Sequence, residues 1–343
     1  MKRLFVLVTI ALLTAGAVFA DEAVLIDFSK LAADIIPDAN DTPTQNRATV
    51  MDFSTVAGNS FTDEQKAVMK TSLAIGQWEI ELASSSRNVG NQVRSFTREA
   101  PSKQWNTVLG VRIHFPVESY SSWAKVKPPF DIPAFEPAAD VDDDGNAQEP
   151  ADGSNGITGP SRFEDGFGVV KNVGTIKSLA VNVYGLNFPH KLSAILIDNQ
   201  GNQKIISLGH LNFDGWAELR WDNPQYVQEV RNRDLRLYPL YPFSTPFVKF
   251  GGFLIQRDGS EAGGDFIAYF KDVKIIYDKA VLDTERDIED ESLWNIIRDR
   301  ETAKKVAEMG RFGQNQVLRY LDSQKQATES AFTPTATNDE QTN

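Results

Sequence analysis

Between Gly168 and Tyr277 the chain alternates apolar and polar residues in short runs separated by Gly, Asn and Asp. This pattern decides the fold class, because a period of two sends successive side chains to opposite faces of a strand. Over Thr175–Gly185 it puts Leu179, Val181 and Val183 on one face. Over Trp216–Trp221 it puts Ala217, Leu219 and Trp221 on one face and Trp216, Glu218 and Arg220 on the other. Leu192–Ile197 is an unbroken apolar run, as expected of a central strand buried on both sides. Asp198–Asn202 reads as a turn and Gln203–Leu211 as the partner strand. Val248–Gln256 and Phe266–Tyr277 are two further strands. In the last, Ile267, Tyr269, Val273, Ile275 and Tyr277 read as one face, with Lys271 interrupting it. Closely spaced strands without β–α–β alternation predict a mainly β chain folded as an antiparallel β-sandwich or barrel.

The flanks fill in the domain plan. Ala23–Phe28, Trp78–Leu82 and Thr107–Phe115 also read as strands, the last with Val111, Ile113 and Phe115 opposite Arg112 and His114. Asp63–Leu73 reads as a short helix. From Lys125 to Gly159, Pro, Asp and Gly dominate, which predicts a long acidic loop outside the core. Residues 1–20 carry Lys2 and Arg3, an apolar run from Leu4 to Leu13, and small residues up to Ala20 before Asp21. That is the layout of a cleaved secretory signal peptide, and its apolar run is too short to span a bilayer. Export to a bacterial compartment outside the cytoplasm, without stable membrane insertion, follows. The β-sandwich domain is expected over 21–283. An appended C-terminal amphipathic helical segment is expected over 284–326, with Leu293, Ile296, Ile297, Ala303, Val306 and Ala307 on its apolar stripe. The polar tail at 327–343 reads as disordered.

The side-chain inventory narrows the chemistry. There are no cysteines among the 343 residues, so disulfides, Cys-ligated zinc, iron–sulfur clusters and cysteine nucleophiles are excluded. The net charge is −12, and loss of Lys2 and Arg3 with the leader makes it −14. That balance argues against nucleic acid as a partner. Three histidines, His114, His190 and His210, form no close pair or HExxH pattern, and each reads as structural or solvated. No G-x-S-x-G, P-loop or dinucleotide-binding glycine pattern occurs in the right context. Gly251-Gly252 and Gly263-Gly264 read as turns or bulges. Glu79 and Glu81 share a strand face that reads as solvated, so no catalytic carboxylate pair is assigned. The residue pattern predicts no enzyme and no required cofactor.

Two features remain. Asp140, Asp142 and Asp144, followed by Gly145, make the first half of a calcium loop. The twelfth position is Ala151 rather than Glu, so a solvated acidic loop stands beside weak calcium binding as a reading. Trp105, Trp123 and Trp216 are candidates for stacking on sugar rings, as in a carbohydrate-binding jelly roll. The other reading of these aromatics is core or assembly interface.

The ordered set of segments carries a resemblance. It comprises Ala23–Phe28 after the leader, the acidic loop after Pro128-Pro129-Phe130, Gly168–Lys177, Val183–Pro189, Gly215–Trp216 through Trp221–Pro224, Val230–Arg233 and the closing amphipathic segment. Together these resemble the spirochete flagellar filament outer-layer (sheath) proteins. The resemblance implies a non-enzymatic subunit of the periplasmic flagellum that coats a core of flagellin and contacts itself and other sheath proteins. It also implies a jelly-roll-like sandwich. In such a subunit Leu293, Ile296 and Ile297 either pack on the sandwich or contact a neighbour, and Trp216 is a candidate contact residue.

Overall fold

The computed structural model describes residues 21–31, 35–37, 43–45, 49–52, 62, 70–116, 121–135, 140–141, 147–148, 163–226 and 246–280, with single helical positions at 296, 303 and 307. In chain order the strands are β1 (Asp21–Asp27), β2 (Ile35–Pro37), β3 (Pro43–Gln45), β4 (Val50–Asp52), β5 (Lys70–Ser72), β6 (Glu79–Leu82), β7 (Phe96–Ser102), β8 (Asn106–Phe115) and β9 (Trp123–Lys127). They continue as β10 (Asp140–Val141), β11 (Ala147–Gln148), β12 (Val169–Lys171), β13 (Val173–Leu186), β14 (Lys191–Asp198), β15 (Gln203–His210), β16 (Asp214–Asp222), β17 (Phe247–Gln256) and β18 (Gly264–Lys279). Among the described residues a short α-helix, α1 (Val89–Arg94), precedes β7.

Two antiparallel sheets make the jelly-roll-like sandwich. The first runs β16-β13-β18-β8-β7, and the second runs β15-β14-β17-β9-β6. Each is organised on one long strand whose edge is shared end to end. Along one edge of β18, β8 pairs with Gly264–Phe270 and β1 with Asp272–Tyr277. Along β17, β12 pairs with Phe247–Lys249 and β9 with Phe253–Gln256. Smaller hairpins join β2 to β3, β4 to β5 and β10 to β11.

The inward residues are those the alternation selects. Leu109, Val111 and Ile113 of β8 and Leu179, Val181 and Val183 of β13 are at most 1% exposed. Leu192, Ala194 and Leu196 of β14 oppose them from the second sheet, in the same core. Phe28, just past β1, plugs the middle. Its ring meets Trp78 at 5.2 Å, Phe253 at 6.1 Å and Phe250 at 6.4 Å. Phe253 stacks on Phe270 across the sheets at 4.3 Å. Burying an aromatic of this size stabilises the fold by about 1.5–3 kcal/mol, and edge-to-face pairing adds about 0.5–1.5 kcal/mol. Trp78 keeps its indole N–H satisfied by donating to the Leu73 carbonyl at 2.8 Å.

Three expectations need correction. The acidic loop does not begin at Lys125. β9 runs to Lys127, and Phe130, Ile132 and Ala134 are buried in the core despite the surrounding prolines. The end of the helix expected over Asp63–Leu73 is instead β5, paired with β4. There the Ser72 hydroxyl donates to Thr49 Oγ1 and accepts from the Ala74 N–H, local bonds that compete with a helix. Asp63–Met69 lie outside the described residues. In β18 the inward residues are Phe266, Ala268 and Phe270, then Val273, Ile275 and Tyr277. The register against β13 slips between Asp272 and Phe270. Lys271 is therefore the extra residue of a bulge, and a one-residue slip exchanges the two faces. Ile267 and Tyr269 thus face outward.

The bulge at Gly251-Gly252 is present. β14 and β17 change register there, and Gly252 has φ +121°. A Cβ at Gly252 would lie 2.2 Å from the Val126 carbonyl oxygen, so the backbone of β9 can approach only a glycine. The Asp198–Asn202 turn is also present, with Asp198 Oδ1 accepting from the N–H groups of Gln200 and Asn202. The leader, the tail and most of 284–326 lie outside the described residues. Of that last segment only Ile296, Ala303 and Ala307 are described, as helical and exposed. No helix among the described residues is long and apolar enough to cross a membrane.

Candidate interaction surface

Because inward positions fill the core, the alternate positions of the first sheet form an outward face with its own composition. Register aligns one residue from each strand across it. Trp216 of β16 lies beside Tyr184 of β13, Tyr184 beside Tyr269 of β18, Tyr269 opposite Gly110 of β8, and Gly110 opposite Arg98 of β7. The Tyr184 and Trp216 rings meet edge to face at 5.4 Å, and Tyr184 and Tyr269 at 6.0 Å. Gly110 makes room for this row: a Cβ there would sit 3.3 Å from the Tyr269 ring and 3.0 Å from the Arg98 carbonyl. Trp105, in the turn between β7 and β8, comes within 6.5 Å of Trp216.

Beside the row the β18 bulge delivers a cation. Lys271 is buried, bonds to Asp27 and Ser29, and lies 5.7 Å from the Trp105 ring centroid. Burial alone pushes the Asp27 carboxyl up. The hydrogen bonds from Lys271 and Ser29 outweigh it and hold the group below its ordinary value. Asn182 donates to Asp272 at 2.7 Å on the neighbouring pair.

The remaining polar clusters are structural. His114 Nδ1 meets Asp265 at 2.6 Å, and Arg112 meets the other oxygen at 2.5 Å. These bonds hold the Asp265 carboxyl below its ordinary value. Arg94 lies 3.3 Å from His114 Nε2. A histidine–carboxylate pair activates a nucleophile only if one is presented to it. The nearby Ser95 hydroxyl donates to the Asn91 carbonyl and accepts from the His114 backbone N–H, so it ties α1 to β8 instead. Glu79 and Glu81 both face Lys127, at 3.6 and 3.1 Å. His190 is buried among Phe115, Phe188 and Phe266, and His210 is exposed at the end of β15. Among the described residues no three His, Asp or Glu gather to hold a metal.

The residues singled out in the sequence separate accordingly. Trp216 and Trp105 come together on the outward face, while Trp123 sits apart in β9 of the second sheet. Asp140 lies in the β10–β11 hairpin opposite Gln148, and Asp142 and Asp144 fall outside the described residues. Ile296 is helical and 41% exposed, and Leu293 and Ile297 fall outside the described residues. Tyr184 and Tyr269 were not singled out. Tyr184 was readable, since it alternates with Val181 and Val183. Tyr269 was hidden by the bulge.

Comparison with known proteins gives concordant matches. The family model Flagellar filament outer layer protein FlaA matches residues 42–286. A flagellar filament outer layer protein of Treponema pallidum is 52% identical over 340 residues, covering 97% of each chain. Its counterpart in Spirochaeta aurantia is 46% identical and covers 97% of this chain and 95% of the relative. Among solved structures, β-sandwich carbohydrate-binding modules align at 10% identity and TM-score 0.29, over 71% of this chain and 72% of theirs. A family 11 carbohydrate-binding module of a Clostridium thermocellum cellulase aligns at 7% identity and TM-score 0.25, over 59% and 88%. Likeness at these scores says nothing about ligand.

Proposed function

The chain belongs to the flagellar filament outer layer family, and from that premise we propose that it is a structural subunit of the sheath of a periplasmic flagellar filament. In this role it coats a core of flagellin, contacts other sheath subunits, and contributes to filament stiffness and cell motility. It reaches the periplasm by its leader and acts through surfaces, without catalysis. The observation that supports this from the structure is the outward face of the first sheet. It is a strand face carrying Trp105, Tyr184, Trp216, Tyr269 and Arg98, residue types that anchor protein interfaces.

The test is co-sedimentation of the purified protein with flagellin filaments stripped of their outer layer. The protein should pellet with the filaments, and Trp216→Ala should weaken binding by roughly tenfold or more, as for an interface anchor. Failure of the unmodified protein to pellet would overturn the proposal. So would saturable binding of a soluble oligosaccharide that is lost in Trp216→Ala, which supports a carbohydrate-binding module instead.

A further inference from the structure

We propose that copies of this chain associate head to tail, the α1–β7 edge of the first sheet in one copy seating against the β16 edge of the next. The inference rests on the sheath reading only in that a layer needs lateral contacts. Apart from Arg98, its evidence is separate from the outward aromatic row.

The two edges differ in charge. Residues 84–114 contain Arg87, Arg94, Arg98, Lys103 and Arg112 against Glu99 alone, in a chain of net charge −12. Arg112 is matched within its own chain by Asp265, while Arg94 and Arg98 are exposed. At the opposite edge, β16 exposes Asp214, Glu218 and Asp222 with a single cation, Arg220, which is held by Asp222 at 2.8 Å. Such complementarity steers and orients association.

The two edges also match in apolar surface. Six large hydrophobic residues are exposed among the described residues, and three lie within eight positions here: Val89 at 70%, Val93 at 75% and Phe96 at 40%. Val89 and Val93 are spaced i, i+4 and share one helix face. A fourth, Leu186 at 38%, pairs with Asp214 and so borders the acidic edge. The valines are held outward by design of the local bonds. Asn88 caps α1 by accepting from the Asn91 N–H at 2.7 Å, and the Asn91 side chain donates inward to the Ser86 carbonyl at 2.8 Å.

Topology sets the kind of contact. β7 and β16 are opposite ends of one strand path, so the joined patches are different surfaces. A heterologous contact of this kind repeats without having to close. Pro101 within β7 lacks an N–H to offer along that edge, which favours side-chain contact over addition of a strand.

The absence of native cysteine makes a direct test available. Gln92→Cys and Leu186→Cys are introduced together, and each alone, and the purified protein is treated with a short bismaleimide. The double variant should give a ladder of dimers, trimers and higher species, and each single variant should stay monomeric. Adding Arg94→Glu with Arg98→Glu to the double variant should abolish the ladder, and mixing that protein with a copy carrying Gln92→Cys and Leu186→Cys together with Asp214→Lys and Glu218→Lys should restore cross-linking. No ladder, dimers from a single-cysteine variant, or a ladder that survives the charge reversal would each overturn the proposal. None of these outcomes bears on co-sedimentation with stripped filaments, so failure here is distinct from failure of the sheath reading.

Discussion

His190 is a titratable ring in a place built for a neutral one. It is 3% exposed, with Phe266 at 5.1 Å, Phe115 at 5.2 Å and Phe188 stacked at 5.8 Å. Its Nδ1 accepts from the Asp258 backbone N–H at 3.3 Å, which assigns the proton of the neutral ring to Nε2. Burial, and then the nearby Arg257 guanidinium, lower its pKa from 6.5 to about 4. Below about pH 6.5 the unfolded chain takes up a proton at this residue that the folded chain refuses. The contribution to stability is therefore complete above that pH and is lost as pH falls towards about 4. At about 1.4 kcal/mol per pH unit, the loss is about 3 kcal/mol. Urea unfolding of the natural protein and His190→Asn, from about pH 7.5 to about pH 4, isolates the effect. The variant is less stable at the upper end, because it gives up ring packing. Its disadvantage should shrink by about 3 kcal/mol towards the lower end, since Asn does not titrate. A stability difference that stays constant within about 0.5 kcal/mol across this range would refute the reasoning.

Three further perturbations test the packing. Phe28→Ala removes the ring that joins Trp78, Phe250 and Phe253; denaturant unfolding should show a loss of about 3–5 kcal/mol, and a loss under about 1 kcal/mol would mean the site collapses freely. Lys271→Met leaves the half-buried Asp27 without its cation and should cost about 1–3 kcal/mol near neutral pH. That cost should diminish as acid protonates Asp27, whose folded pKa lies below its ordinary value. A cost independent of pH down to about 3 would argue against the pair. Gly252→Ala drives a Cβ into the Val126 carbonyl at positive φ and should lower stability by about 2 kcal/mol or more in the same assay, whereas a neutral result would displace the bulge from that position.

The strand pattern was legible because the core is built by strict alternation. Leu179, Val181 and Val183 were placed correctly from their spacing alone, and so were Val111, Ile113 and Phe115. The pattern failed where geometry departs from period two. The Lys271 bulge exchanges the faces of β18 midway, and a bulge adds one residue without announcing itself in composition. Phe130, Ile132 and Ala134 were hidden differently: they recur at every second residue, but Pro128, Pro129 and Pro133 around them make the stretch read as loop. The candidate surface was half readable. Trp216 stood out as an aromatic on a polar strand face. Its alignment with Tyr184, Tyr269, Gly110 and Arg98 depends on non-local register, which one strand's sequence does not encode. The α1 valines escaped notice for the opposite reason, because six helical residues are too few to show a period.

The central claim is that this chain forms part of the layer around a flagellin core. Electron microscopy of periplasmic filaments purified from cells lacking the chain tests it most directly. The account predicts filaments thinner than those of the parent, with an exposed flagellin core and regain of diameter when the chain is supplied again. Filaments of unchanged diameter and curvature, from cells shown to lack the protein, would contradict it.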